Sequence, residues 1–253
     1  WLAGDEAKLA EYGADVDLYN KLATAIFGYP VDRKAKDENG KKMFATEGAI
    51  GKTAELGLGY GMGFRKFWET CAKGPMGEPP VLLPDGDAKR VVDTWRGMNT
   101  PIVEMWRYAD WVLEKLADPN TLPFSWGPLT VHYGRIELPS GLSIHYKNLK
   151  LRKQKTYDED GNVIGEKYSY SYFDGFKYKW TWGGTLVENV VQAISRVILS
   201  EANQIIDTHL VSNGIGRVVF TVHDELIAIV KESEASESLD YAVDVLSQPP
   251  SWV

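Results

Sequence analysis

Apolar positions recur at helical spacing through the first half of the chain and change to alternation in the second. Over residues 1–27, Leu9, Tyr12, Leu18, Leu22, Ile26 and Phe27 form the stripes of two amphipathic helices. Asp15 or Asp17 is placed to cap the second. Gly28-Tyr29-Pro30 ends it, because the residue before a proline avoids helical angles. A polar, basic loop follows over 32–42, where a solvated surface is expected. Helical spacing resumes over 47–63, continues over 64–73, and gives way to a Pro/Gly-rich loop at 74–86. It returns over 87–116 with a break near Asn99-Thr100-Pro101, and Trp95, Trp106, Tyr108 and Trp111 are expected in the core there.

From Leu129 the pattern is that of strands: LTVHYGRIEL, a turn at Pro139-Ser140-Gly141, LSIHYKNL, then a hairpin around Asp160-Gly161. Tyr168, Tyr170 and Tyr172 alternate onto one face, which suits a half-buried strand better than a stacking platform. Leu186, Val190, Ile194, Val197, Ile198, Ile205 and Leu210 predict a long helix ending before Gly214. Residues 218–230, VVFTVHDELIAIV, place His223, Asp224 and Glu225 between two β-branched runs. A hairpin with largely buried strands is expected, its turn lifting two adjacent carboxylates to a sheet edge. Carboxylates in an apolar setting need a partner, and a hard cation such as Mg²⁺ is one; the alternative is an ordinary solvated turn. A final amphipathic helix is expected over 232–246. The pattern as a whole is α+β.

Composition narrows the function classes. The chain has 253 residues, 44% hydrophobic and 25% charged, with net charge −7, and so has material for one large domain or two subdomains. That charge speaks against an overall basic coat but permits a local basic groove. Cys71, the one cysteine, excludes an internal disulfide framework and a cysteine zinc site, and it fits a reducing, cytoplasmic compartment. No apolar run is long enough for a membrane span, no signal peptide is visible, and no membrane partner is expected. His132 and His145 lack metal-ligand spacing and suit packing or surface roles. The chain opens on Trp1 and closes on LSQPPSWV, which is expected of a piece of a longer protein.

The stretch 47–63, EGAIGKTAELGLGYGMG, carries candidate chemistry. On a helix Lys52, Leu56 and Tyr60 fall at i, i+4 and i+8 on one face, a row roughly 12 Å long. That is about the span of a nucleotide, with an ammonium for phosphate and a ring for a base. GKT is not a P-loop: Thr46 stands where that motif requires glycine, and no apolar strand precedes it.

A lysine, a hydrophobic residue and Tyr-Gly on one helix, with Val-His-Asp-Glu between apolar strands much later, resembles the family A DNA polymerases, relatives of bacterial DNA polymerase I, in their phage-type branch. GKTAELGLGYGMG resembles motif B, VHDE resembles motif C, and LVENVVQAISRVILSEA resembles the segment between them. The resemblance covers essentially the whole chain. It implies a mainly helical fingers subdomain over 1–140 (motif B helix about 47–61). The returning antiparallel-sheet palm would span 141–253, with a hairpin insertion about 145–180 and the motif C hairpin at 218–230. The right-hand architecture would be incomplete. The implied reaction is template-directed transfer of a deoxynucleotide from a dNTP to a primer 3′-hydroxyl, releasing pyrophosphate, in phage DNA replication in a bacterial host cytoplasm.

The resemblance also implies roles. Asp224 is a metal-binding catalytic carboxylate for two Mg²⁺ ions, Glu225 supports it, and His223 helps wall the primer end. Lys52 contacts the triphosphate and can donate a proton to the leaving group. Leu56 faces the incoming sugar and base, Tyr60 guards the insertion site, Gly61 allows close packing, and Gln192 faces the minor groove of primed DNA. Several features depart from the family pattern. Motif A and its metal-binding Asp are absent, WLAGDE resembling the segment just after that motif. The chain alone is therefore expected to be inactive without an N-terminal polymerase region on the same or another polypeptide. Gly48 stands where many members have an arginine, a contact for which Lys42 or Arg65 is a substitute. Leu56 takes a position that is aromatic in cellular enzymes. The thumb and any exonuclease would also lie upstream, and the chain ends before the usual C-terminus. The alternatives are a non-catalytic nucleic-acid-binding scaffold derived from a polymerase and a metallohydrolase on His223-Asp224-Glu225.

Overall fold

The structure, a computed structural model, describes residues 1–74, 80–84, 86–157 and 162–252. The chain divides into two compact units, Trp1–Trp111 with Trp182–Val187, and Val112–Thr181 with Glu188–Val253. Their division differs from the expected fingers and palm portions, whose boundary at 140/141 falls inside the second unit.

The first unit is helical. It holds α1 (Glu6–Gly13), α2 (Leu18–Phe27), α3 (Ala45–Leu58), α4 (Phe64–Lys73), α5 (Asp87–Met98) and the start of α6 (Thr100–Ala117). Asp17, rather than Asp15, caps α2 by accepting from the Asn20 N–H at 3.1 Å. Gly28 ends it in the left-handed conformation (φ 77°), returning its N–H to Thr24. Leu22, Ala23 and Ile26 of α2 pack with Ala49, Ile50, Ala54 and Leu58 of α3 in the core. The break between α5 and α6 falls at buried Asn99, whose side chain donates to the Trp95 carbonyl at 2.8 Å. Trp95 and Trp106 are buried and stacked, 5.9 Å between centroids. Tyr108 and Trp111, expected beside them, are each 40% exposed and pack on each other at the surface. The helical pattern of α6 carries an outward stripe there, and an aromatic residue can lie flat on it. The 74–86 loop lies partly outside the described residues.

The second unit is mostly antiparallel sheet. β1 (Phe124–Trp126), β2 (Leu129–His132), β3 (Arg135–Glu137) and β4 (Ser143–His145) form a meander in chain order. LTVHYGRIEL is therefore two strands and not one: Tyr133-Gly134 makes a tight turn, with Gly134 at φ 70°, and the apolar alternation changes phase across it, from Leu129, Val131 and Tyr133 to Ile136 and Leu138. The turn at 139–141 joins β3 to β4 as expected, with Gly141 at φ 80°. β5 (Lys147–Tyr157), β6 (Val163–Phe173) and β7 (Tyr178–Thr181) make a second sheet. The Asp160-Gly161 turn lies outside the described residues, though β5 and β6 pair antiparallel on either side of it. Of the three tyrosines, Tyr168 is 64% exposed while Tyr172 packs edge-on against buried Tyr146.

The long helix α7 (Gly183–Ser212) starts in the first unit and runs on through the second, ending at Gly214 (φ 63°). β8 (Gly216–Val222) and β9 (Glu225–Val230) form a two-stranded hairpin, followed by a 3-10 turn and α8 (Ala235–Ser247). Among the described residues no helix is long and apolar enough to cross a membrane.

Candidate nucleotide and metal site

Within the first unit, α3 holds Lys52 and Leu56 one turn apart on one face, both half-buried. The helix stops at Leu58, short of the expected 61. Tyr60 thus sits in the turn beyond it, 56% exposed, and not on a third helical turn. Glycines at 57, 59 and 61 weaken the helix there. Gly61 then takes φ 73°, with its N–H bonded to the Leu58 carbonyl at 2.9 Å. A Cβ at Gly61 would lie 2.3 Å from the Trp182 ring. Both the backbone and the neighbour demand glycine.

The inner side of α3 is fitted just as closely. Gly51 lets the helix approach α2, where a Cβ would meet the Tyr19 carbonyl at 2.6 Å. Gly48 faces Arg33, whose Cβ would stand 2.8 Å from an added methyl. The arginine expected at that position is thus excluded by another arginine. Arg33 bonds Asp17 at 3.0 Å and lies over the Tyr19 ring; Lys42 is exposed on its loop.

Sequence reasoning passed over Glu55. It accepts from Lys8 Nζ at 2.6 Å and from Trp95 Nε1 at 2.9 Å, while Lys8 also reaches Asn99 Oδ1 at 2.6 Å. The pair is only 12–17% exposed, so its charges need these bonds. They tie α3 to α1 and α5 and set the rotation at which Lys52 and Leu56 are presented. Only long-range contacts reveal it, because Glu55 reads locally as one more helical polar residue.

Within the second unit, His223 and Asp224 form the two-residue loop closed by the Val222–Glu225 pair. His223 has φ 52°, a conformation costly for a side chain this large and one that hairpin turns require at their first central position. His223, Asp224 and Glu225 are all exposed. The hairpin itself is not buried as expected. No residue of either strand is fully covered, and Phe220 and Ile229 are 61% and 65% exposed. Only one face packs, a distinction that two apolar runs cannot reveal. A bulge at Val219 and a 2.8 Å bond from the Val218 N–H to Asp207 Oδ1 anchor β8 to α7. Gln192 is exposed on α7, one turn from Glu188, to which its amide donates at 3.4 Å.

Asp224 and Glu225 are hard oxygen donors of the kind Mg²⁺ takes. Among the described residues no group of three His, Cys, Asp or Glu could hold a metal. The exposed Asp224 and Glu225 carboxylates suit a hard cation in chemistry, without making a complete ligand group among the described residues. The sequence-predicted residues fall into two sets: Lys52, Leu56, Tyr60 and Gly61 in the first unit, and Gln192, His223, Asp224 and Glu225 in the second.

No protein-family model matches the chain. A DNA polymerase of Bacillus phage SP02 is 27% identical over 261 residues, covering all of this chain and 36% of the phage protein. The fold matches the POL domain of Pol1 from M. smegmatis, solved in complex with DNA primer-template and dNTP. That match has a TM-score of 0.60 at 15% identity, over 98% of this chain and 34% of the other. The chain is related to the family A DNA polymerases. Its sequence likeness is to a phage member, and it spans about a third of the length of each relative.

Proposed function

We propose that this chain is the nucleotide-binding and motif C portion of a phage-type, template-directed DNA polymerase, with fingers over 1–140 and returning palm over 141–253. The observation that carries the reading is the strained, exposed His223-Asp224 turn, in a chain that aligns over its whole length with a DNA polymerase. Strain of this kind persists where the surroundings use it.

Mg²⁺ held by Asp224 and an upstream carboxylate would neutralise charge on the transferring phosphoryl group. The chain's own residues do the positioning. Lys52 offers an ammonium to the triphosphate and a proton to the leaving pyrophosphate. Leu56, one turn on, bounds the sugar and base. Tyr60, exposed past the end of α3, is free to turn as the templating base enters, and Gly61 provides the bend. Gln192 reads the minor groove of the primed duplex, His223 walls the primer end, and Glu225 supports the metal-binding side. Primed template and dNTPs are the partners.

The test is primer extension by a polypeptide carrying this chain with the upstream polymerase region, beside its Asp224→Ala form. Extension abolished by the substitution supports the reading. Gly48, packed against Arg33 where many family members have an arginine for the triphosphate, favours one other reading, a non-catalytic nucleic-acid-binding scaffold, for which neither form extends but both bind primed template.

A further inference from the structure

The sheet β5–β6–β7 takes no part in the site above, yet its composition opposes that of the chain. Residues 147–181 carry eight Lys or Arg against five Asp or Glu, in a chain of net charge −7. Directly paired residues share a face of a sheet. The pairs Lys150–Ser171–Trp180, Phe173–Tyr178, Arg152–Ser169 and Gln154–Lys167 therefore place Lys150, Arg152, Lys167, Tyr178 and Trp180 on one side. Among the described residues that side holds no carboxylate. Glu166 stands on the other face, 3.2 Å from Lys153, and Asp174 lies in the β6–β7 turn, 3.0 Å from Lys179.

The face is also set up in advance. The Arg152 guanidinium lies over the Tyr178 ring, 4.3 Å from its centroid. Among the described residues it donates only to neutral oxygens: the Ser171 carbonyl (2.8 Å), Ser171 Oγ (2.5 Å) and the Asn148 carbonyl (3.2 Å). None of these bonds neutralises its charge, which an outside anion can meet. Lys150 and Lys167 are exposed, and Tyr178 and Trp180 are 53% and 43% exposed.

We propose that this face binds single-stranded nucleic acid, bases stacking on Trp180 and Tyr178 and phosphates running past Lys150, Arg152 and Lys167. Cationic faces with interleaved aromatic rings suit that polymer, since the lysines take any phosphate and the rings any base. The two rings are two residues apart on one strand, roughly 6.7 Å, about twice the 3.4 Å rise of a stacked strand. That spacing fits bases spread apart and disfavours a duplex. The inference goes beyond the polymerase reading and does not depend on it.

The test is fluorescence anisotropy of a labelled oligo-dT strand with the 253-residue chain, alongside a duplex of equal length, over a salt series. Trp180→Ala should weaken single-strand binding about 5- to 100-fold, with Trp180→Phe retaining most of it. Lys150→Ala with Lys167→Ala should make the log–log salt slope shallower by about 1.4. Wild-type affinity and slope in these variants, preference for the duplex, or no binding by the wild-type chain would each overturn the proposal. None of the substitutions touches Lys52 or Asp224, so loss of strand binding and loss of primer extension report separately.

Discussion

Gly61 shows how much one residue carries in this chain. Its φ of 73° and the Trp182 ring at 2.3 Å from a notional Cβ combine backbone strain with overpacking. Gly61→Ala should cost about 2–4 kcal/mol. A thermal midpoint matching wild type would mean that the turn relaxes freely. Lys52 is a different case, because the role proposed for it is chemical. In the upstream-extended polypeptide, Lys52→Ala should lower the catalytic efficiency of nucleotide addition by about 10²–10³, as removal of a positioned charge-stabilising group does. An unchanged kcat/KM would remove Lys52 from the triphosphate. The residue types and spacing of Lys52, Leu56, Asp224 and Glu225 were legible in the chain. Arg33 opposite Gly48 was not, because nothing local to a polar loop says which helix it will touch.

At the scale of elements, α3 is held as a rigid support from two sides, by glycines toward α2 and by the Lys8–Glu55–Trp95 cluster toward α1 and α5. Glu55→Ala strands a nearly buried ammonium and should destabilise by about 3 kcal/mol. Adding Lys8→Ala should cost less than the sum of the single changes, as measured by denaturant unfolding; strict additivity would show that the two are not coupled. The β6–β7 turn has its own clamp. The backbone N–H groups of Lys177 and Phe176, then Lys179, hold the Asp174 carboxyl well below the usual carboxylate range. A pKa lowered on folding stabilises above the unfolded value, about 3.9, and is lost as pH falls below it. The midpoint difference between wild type and Asp174→Ala should therefore be full at neutral pH and shrink below about pH 4. A difference constant with pH would point to packing alone. Helices with caps and a clean apolar stripe, α2 and α7 above all, were readable in advance. The β2–β3 turn was not, because its one local mark, Gly134 with a one-residue change in the phase of the apolar alternation, is equally that of a bulge in a single strand. The hairpin of β8 and β9 was read as a hairpin but not as one-sided, since apolar runs record what can be buried and not what covers it.

Over the whole molecule, two units each carry one half of the candidate residues, joined by α6 and α7. Burial pushes the Cys71 thiol up to about 11, in the core of the helical unit. It should react with a thiol reagent at neutral pH far more slowly in the native chain than in denaturant; equal rates would mean that the unit opens readily. The likeness to DNA polymerases was legible from the stretches at 47–63 and 218–230 together with their order, and the likeness to the phage polymerase extends over the whole chain. Of the proposed metal site, only Asp224 could be put forward from the sequence. The measurement that bears most directly on the account is primer extension with Mg²⁺ and all four deoxynucleotides, by the upstream-extended polypeptide and its Asp224→Ala form. Extension by the first and none by the second is the expected result. Equal extension by both would contradict it.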